Sequence, residues 1–128
     1  MASWEKPKID FTPNDYVMPW HINRYVSCIT YLHDTIIEKG GNIFNYPIIS
    51  TINADYQSVI TGNQFERIEA ALFRCAQAVC DSPLSCRINY FPKYRSYGIY
   101  GRQRTPDCYR LNEIGRAIIS IYNFLQTI

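Results

Sequence analysis

No run of eighteen apolar residues occurs in this 128-residue sequence, so no segment is long enough to predict a membrane-spanning helix. The first eight residues hold no apolar stretch of signal-peptide length, and we expect a protein that is made and kept in a cytoplasm, with no membrane partner. Charge of one sign is barely in excess, and a formal net charge of +2 is too small to predict a nucleic-acid binder by itself. A hydrophobic share of 47% excludes a disordered chain, and the length predicts a single domain over residues 1–128.

The residue groupings that enzymes and metal sites need are also missing. Zinc sites favour cysteine pairs two to four residues apart, whereas the later cysteines are spaced more widely: Cys75, Cys80, Cys86 and Cys108. His21 and His33 lie twelve residues apart on one predicted helix, which is more than three turns, so they cannot share one site within a monomer. We therefore predict no catalytic residue, no metal and no cofactor. Five cysteines, an odd number, agree with reduced thiols.

Three stretches of the chain share one helical pattern, residues 21–29, 64–72 and 110–118. Followed on to residues 36, 79 and 125, each copy carries apolar residues at i, i+3, i+7, i+10 and i+14, which is the spacing of one buried helical face. A small residue stands at i+6 in every copy: Cys28, Ala71 and Ala117. The pattern predicts a mainly α domain of three helices packed by their common apolar stripe, with long irregular or short-β connections.

Local signals place the ends of the predicted helices. The predicted ranges are 20–39, 62–80 and 106–126, and Gly40-Gly41 is expected to cap the first helix. Residues 1–19 are predicted to be an extended arm, because three prolines interrupt any helix there. This arm either wraps its own domain or reaches a neighbouring subunit. Residues 42–60 lack a helical period and either hold a short strand or drape over the helices.

Polar residues occupy matching places beside the stripe: Asn23, Arg24, Glu66, Arg67, Glu69, Asn112 and Glu113. One interpretation is a polar clasp between helices or subunits, such as Arg67 with Glu113 or Arg24 with Glu69. The other is a solvated helix face, where an exposed ion pair contributes only about 0–1 kcal/mol.

The segment 87–104 combines five cations and no acid with four Tyr and one Phe. Its tyrosine spacing suits neither a helix nor a strand, so a long loop or a hairpin is predicted, and long loops in small domains are commonly functional. Tyr and Arg are enriched at protein interfaces, which favours a protein partner. The predicted contact residues combine the arm with this segment: Trp4, Phe11, Tyr90, Tyr94, Arg95, Tyr97, Tyr100 and Arg102.

Two alternatives to a structural role stay open. A small nucleic-acid-binding protein would use the cations of the same segment to bind phosphates and its rings to stack on bases: Arg87, Lys93, Arg95, Arg102 and Arg104. An enzyme or inhibitor acting on a host protein would show a similar interface loop.

The arm and the start of the first helix carry a family resemblance. The pattern Pro7-Lys8-Ile9-Asp10-Phe11-Thr12-Pro13-Asn14-Asp15-Tyr16, followed by Asn23-Arg24 and Tyr31-Leu32, resembles small virion proteins of tailed bacteriophages and phage-tail-like particles of Gram-positive hosts. Glu66-Arg67-Ile68-Glu69 matches part of the same helix core, whereas Asn112-Glu113-Ile114 lacks its Arg. The resemblance implies a non-enzymatic subunit of a tail, baseplate, fibre attachment or head. It would contact other virion proteins, in several copies within a symmetric particle, first in the host cytoplasm and then in the virion.

Overall fold

Three helices build the fold. The computed structural model describes residues 4–54, 62–80 and 108–127. It contains α1 (Pro19–Glu38), α2 (Gly62–Cys80) and α3 (Cys108–Leu125), and each helix packs against the other two. The predicted mainly α, three-helix fold class is thereby confirmed. Within these described ranges no strand is formed, so residues 42–54 drape over the helices instead of pairing.

The predicted apolar stripe forms the centre of the core. Its middle column is almost fully buried, with Ile29, Leu72 and Ile118 each exposing no more than 1% of their surface. The small residues at i+6, Cys28, Ala71 and Ala117, are fully buried as well. Small side chains at a helix contact allow the helix axes to approach closely. Burial of the stripe is therefore the main apolar contribution to stability.

Both ends of α1 are fixed by local hydrogen bonds. At its start the backbone N–H of Met18 donates to Nδ1 of His21 at 2.9 Å, while Pro19 occupies the first turn. At its end Gly40 has a φ of 88°, and the N–H of Gly41 donates to the carbonyl of Ile36 at 2.9 Å. Glycine takes this left-handed conformation without the steric penalty of a side chain. The glycine cap predicted from the sequence is confirmed.

Residues 4–11 of the predicted N-terminal segment run antiparallel to α1. These eight residues alone are called the arm from here on. Phe11 lies beside His21 near the start of the helix, with ring centroids 4.9 Å apart. At the other end of the arm, Trp4 lies 5.8 Å from the ring of Tyr31, ten residues further along α1. The arm therefore packs on its own domain, which was one of the two arrangements expected from the sequence. Residues 12–17, which link it to α1, are all exposed and are called the hinge below.

Candidate functional site

A groove between α1 and α3 receives the arm, and its far end is aromatic. Trp4 stacks on Tyr122 of α3 with ring centroids 3.8 Å apart and planes 1° from parallel. Tyr31 of α1 closes the cluster at 5.9 Å from Tyr122. Stacked aromatic pairs stabilise by about 0.5–1.5 kcal/mol beyond the area that they bury. Trp4 thus anchors the end of the arm to both helices.

One residue further along, Glu5 is held by its backbone and by its side chain. Its carbonyl accepts a hydrogen bond from Sγ of Cys28 at 2.9 Å, and its carboxylate pairs with Arg24 at 2.6 Å. The Arg24 guanidinium also lies 4.7 Å from the centre of the Trp20 ring. A cleft of about 200 Å³ opens among these side chains, and Asn23 and Ser27 complete its lining. These contacts use the polar groups of α1 to hold the arm.

The near end of the arm is clasped by α3. The side-chain Nδ2 of Asn112 donates to the carbonyl of Phe11 at 3.0 Å, and its Oδ1 accepts from the Phe11 N–H at 2.8 Å. One turn along α3, a Cβ on Gly115 would lie 2.9 Å from the carbonyl oxygen of Lys8. Only glycine permits this approach of the two backbones without displacement. We call the surface formed by α1 and α3 around the arm the arm groove.

His21 closes the groove beside Phe11. Its Nδ1 accepts the Met18 N–H, and the Phe11 ring meets the imidazole nearly edge-on. Burial lowers the pKa of His21 below its usual range, and the nearby charges of Lys8 and Arg24 lower it further. The neutral imidazole is therefore the form that fits this position.

The same kind of clasp occurs at a second place. Oδ1 of Asn23 accepts the N–H of Ala54 at 2.7 Å, and its Nδ2 donates to the Ala54 carbonyl at 2.9 Å. Ala54 lies at the end of the helix-free stretch 41–54, and Phe11 lies in the helix-free stretch before α1. Each asparagine holds both backbone groups of one residue outside the helices.

A buried cluster of charges joins α2 to α3. Arg110 is 5% exposed and pairs with Glu69, which is 1% exposed, and with Glu113 at 2.8 Å. One of the two interpretations of the sequence was a polar clasp, with Arg67 and Glu113 or Arg24 and Glu69 as example pairs. Both assignments were wrong, because Arg110 occupies the space between the two carboxylates, while Arg24 pairs with Glu5 instead. A clasp between helices exists, but through a residue that was not singled out.

The predicted contact residues divide into two groups. Trp4 and Phe11 both lie in the arm groove of their own chain, and Phe11 is only 4% exposed. In this arrangement the Phe11 ring offers almost no surface to a partner, because it belongs to the core. The other predicted contacts lie outside the described residues: Tyr90, Tyr94, Arg95, Tyr97, Tyr100 and Arg102.

Sequence reasoning missed an exposed apolar surface at the start of α1. Tyr16 is 87% exposed and Trp20 is 47% exposed, with Val17 between them also exposed. A signal was available, since Trp20 stands two residues before the stripe residue Ile22 and therefore off the buried face of the helix. Aromatic residues that are exposed close together are typical of contact surfaces.

The cysteines differ in state. Cys28 and Cys75 are free and buried, and burial raises the pKa of the first thiol to about 11 and of the second to about 12. Cys80, at the end of α2, is disulfide-bonded. The expectation that all the cysteines are reduced was therefore wrong. Within the described part of the chain, no group of three or more His, Cys, Asp or Glu is placed to hold a metal ion.

Comparisons with known proteins add no identification. No protein-family model matches the chain, and no curated protein or solved structure was found to be similar to it. Among the described residues no helix is long and apolar enough to cross a membrane.

Proposed function

We propose that this chain is a non-enzymatic structural subunit of a phage virion or phage-tail-like assembly, present in several copies and bound to neighbouring assembly proteins. The observation that carries the proposal is the exposed Tyr16, Val17 and Trp20 surface beside the arm. An apolar surface of this kind gains free energy when a partner removes it from water.

The use of polar side chains supports the same function. Asn23 and Asn112 clasp non-helical backbone, Arg24 holds Glu5, and Arg110 joins two helices. These groups serve the chain's own architecture, which suits a subunit whose role is to present a surface. The resemblance of residues 7–16 to phage virion proteins specifies the kind of assembly. It also gives a location, first in the host cytoplasm and then in the particle.

The proposed docking surface has two parts. The first is the hinge and the start of α1, where Trp20 carries the Arg24 guanidinium over its ring. The second is the Tyr/Arg segment 87–104, with Tyr94 and Tyr97 as aromatic anchors and Arg95 to fix register. The alternative function, nucleic-acid binding, would use the cations of that same segment.

Light scattering at low and high salt, with absorbance at 260 nm recorded alongside, tests the proposal. A defined oligomer free of nucleic acid, whose mass falls when Trp20→Ala or the pair Tyr94→Ala and Tyr97→Ala is introduced, supports it. Truncating an aromatic hot spot weakens binding by about 2 kcal/mol, or about thirtyfold. Asn123→Ala, an exposed polar change on α3 outside the proposed docking surface, is the matched control. A monomer that carries nucleic acid at low salt and releases it at high salt favours the alternative.

A further inference from the structure

We propose that the arm groove is an exchange site: the arm of one copy leaves its own chain and occupies the same groove of a neighbouring copy. The partner is thus a second copy of this chain, and the docking segment is residues 4–11. The inference rests on the proposed function in one respect, since exchange needs neighbouring copies at high local concentration.

The groove is built to recognise this one segment. Two groove residues form hydrogen bonds with the arm backbone: Asn112 with Phe11, and Cys28 with the Glu5 carbonyl. Two others contact arm side chains: the Tyr122 ring stacks on Trp4, and Arg24 pairs with the Glu5 carboxylate. Every one of these contacts depends only on the sequence of the arm and the shape of the groove. An identical arm from a second copy would therefore make all of them again.

The hinge can open at small cost. Its residues are exposed, and its local structure consists of two hydrogen bonds between Thr12 and Asp15, both made at the surface. Surface turns of this kind contribute little to stability, because water replaces their hydrogen bonds. An extended hinge would carry the arm away from α1, since the closed form needs the chain to reverse direction between Phe11 and Pro19.

In the closed form the arm occupies its own groove, and in the exchanged form it occupies the groove of another copy. The local concentration of arms at each groove sets the ratio of the two forms. A short flexible link gives an arm an effective concentration on the order of 1 mM at its own groove. At about 10 µM protein, on the order of one arm in a hundred would therefore lie in another copy. In a particle that holds copies side by side, the effective concentration of an arm is similar at its own groove and at the neighbouring groove. Exchange of identical elements is a recurrent route to association between copies. It would also give Trp4 and Phe11 an intersubunit contact.

A disulfide trap between two full-length chains tests the exchange directly. One chain carries Glu5→Cys and Cys28→Ser, so its arm has a thiol and its groove has none. The other chain is the natural protein, whose groove keeps Cys28 beside residue 5 of the arm. After mild oxidation, we expect a covalent heterodimer joined between residues 5 and 28, with a yield that rises with protein concentration. Replacing the natural chain by Cys28→Ser should abolish this product.

A second variant removes the competing closed form. Deleting residues 12–17 joins Phe11 directly to Met18 and leaves too few residues for a chain reversal, which takes about four. The mass of this variant should be at least twice that of the natural chain at the same protein concentration. Adding Asn112→Ala should reverse that increase.

Two results would overturn the proposal. The first is a folded deletion variant, judged by its helical circular dichroism, whose mass does not exceed that of the natural chain. The second is a mixture of full-length chains in which peptide mapping finds no link between residues 5 and 28, although a single chain that carries only Glu5→Cys forms that link within itself. Either result would leave the proposed structural function standing, because that function is judged from oligomer mass and nucleic-acid content. Conversely, exchange in a protein that also carries nucleic acid would overturn only the proposed function.

Discussion

Asn23 in α1 and Asn112 in α3 hold non-helical backbone in the same way. Each donates to the carbonyl and accepts from the N–H of a single residue, Ala54 in one case and Phe11 in the other, at 2.7–3.0 Å. An asparagine side chain carries the same donor and acceptor pair as a peptide unit, so it can replace a neighbouring strand. The helices thus fix the two segments that precede α1 and α2 without forming a sheet.

Removing one clasp should loosen the arm. We expect Asn112→Ala to lower the free energy of unfolding by about 1–3 kcal/mol, because the Phe11 N–H and carbonyl both lose a half-buried partner. Urea denaturation measures the change. Asn123→Ala, at an exposed position of the same helix, is the matched control and should stay within about 0.5 kcal/mol of the natural protein. Equal stability of the two variants would argue against the clasp.

Gly115 should resist even the smallest substitution. Gly115→Ala places a Cβ 2.9 Å from the Lys8 carbonyl oxygen and 3.0 Å from the Ile9 side chain, so the arm must move away from α3. Alanine favours a helix by up to about 1 kcal/mol over glycine, and crowding of a packed site costs about 1–3 kcal/mol. We expect net destabilisation and, in a Trp20→Phe background where Trp4 is the remaining tryptophan, a change in fluorescence. A more stable variant with unchanged fluorescence would contradict the close packing.

Replacing Arg110 alone should lower stability far more than replacing Arg110 and Glu69 together. Arg110→Met leaves the Glu69 carboxylate buried without its principal cation and should destabilise by about 3–5 kcal/mol. Adding Glu69→Leu should restore most of this loss, since an apolar pair of similar volume is frequently as stable as a buried ion pair. Thermal and urea unfolding of both variants measure the effect. Arg116→Met, at an exposed position of α3, is the control.

The sequence predicted well what depends on helical period alone. The burial of Ile29, Leu72 and Ile118 follows from spacing along each helix, and the cap at Gly40 follows from one residue's conformational freedom. Both are local properties, so they can be inferred before the helices are placed against one another.

Contacts between residues far apart in the sequence could not be predicted from helical period or local signals. Arg110 stands in the same column as His21 and Gln64, and only the packing of α2 against α3 brings Glu69 within its reach. The arm posed a similar difficulty, because its contacts with Asn112 and Tyr122 span more than a hundred residues of sequence. A local pattern shows that an arm is extended but not which surface it occupies. The role of Tyr94 and Tyr97 stays a prediction.

His21 should make stability depend on pH. Its pKa in the folded state lies below its ordinary value of 6.5, so the unfolded chain binds a proton more readily. The contribution of neutral His21 to the free energy of unfolding is therefore complete above about pH 6.5. It is lost as the pH falls through the lower pKa of the folded state. A protonated Nδ1 also could not accept the Met18 N–H.

Urea midpoints at pH 7 and pH 5 measure this dependence. The midpoint of the natural protein should fall between the two values by more than that of His21→Gln, which has no proton to gain. His33→Gln, which keeps His21, is the matched control. An identical decline in all three proteins would show that other groups cause it.

The thiols should react in a fixed order. Burial keeps Cys28 and Cys75 protonated well above neutral pH, with pKa values raised to about 11 and about 12, and the thiolate is the reactive form. At pH 8 we expect iodoacetamide to label half-buried Cys108 first in the native protein. Cys28 should be labelled more slowly, as the arm leaves its groove, Cys75 only on unfolding, and Cys80 only after reduction. Mass spectrometry of the labelled peptides distinguishes these steps. Labelling of Cys80 in the unfolded but unreduced chain would show a free thiol there, and labelling of Cys28 ahead of Cys108 would contradict the burial of Cys28 beneath the arm.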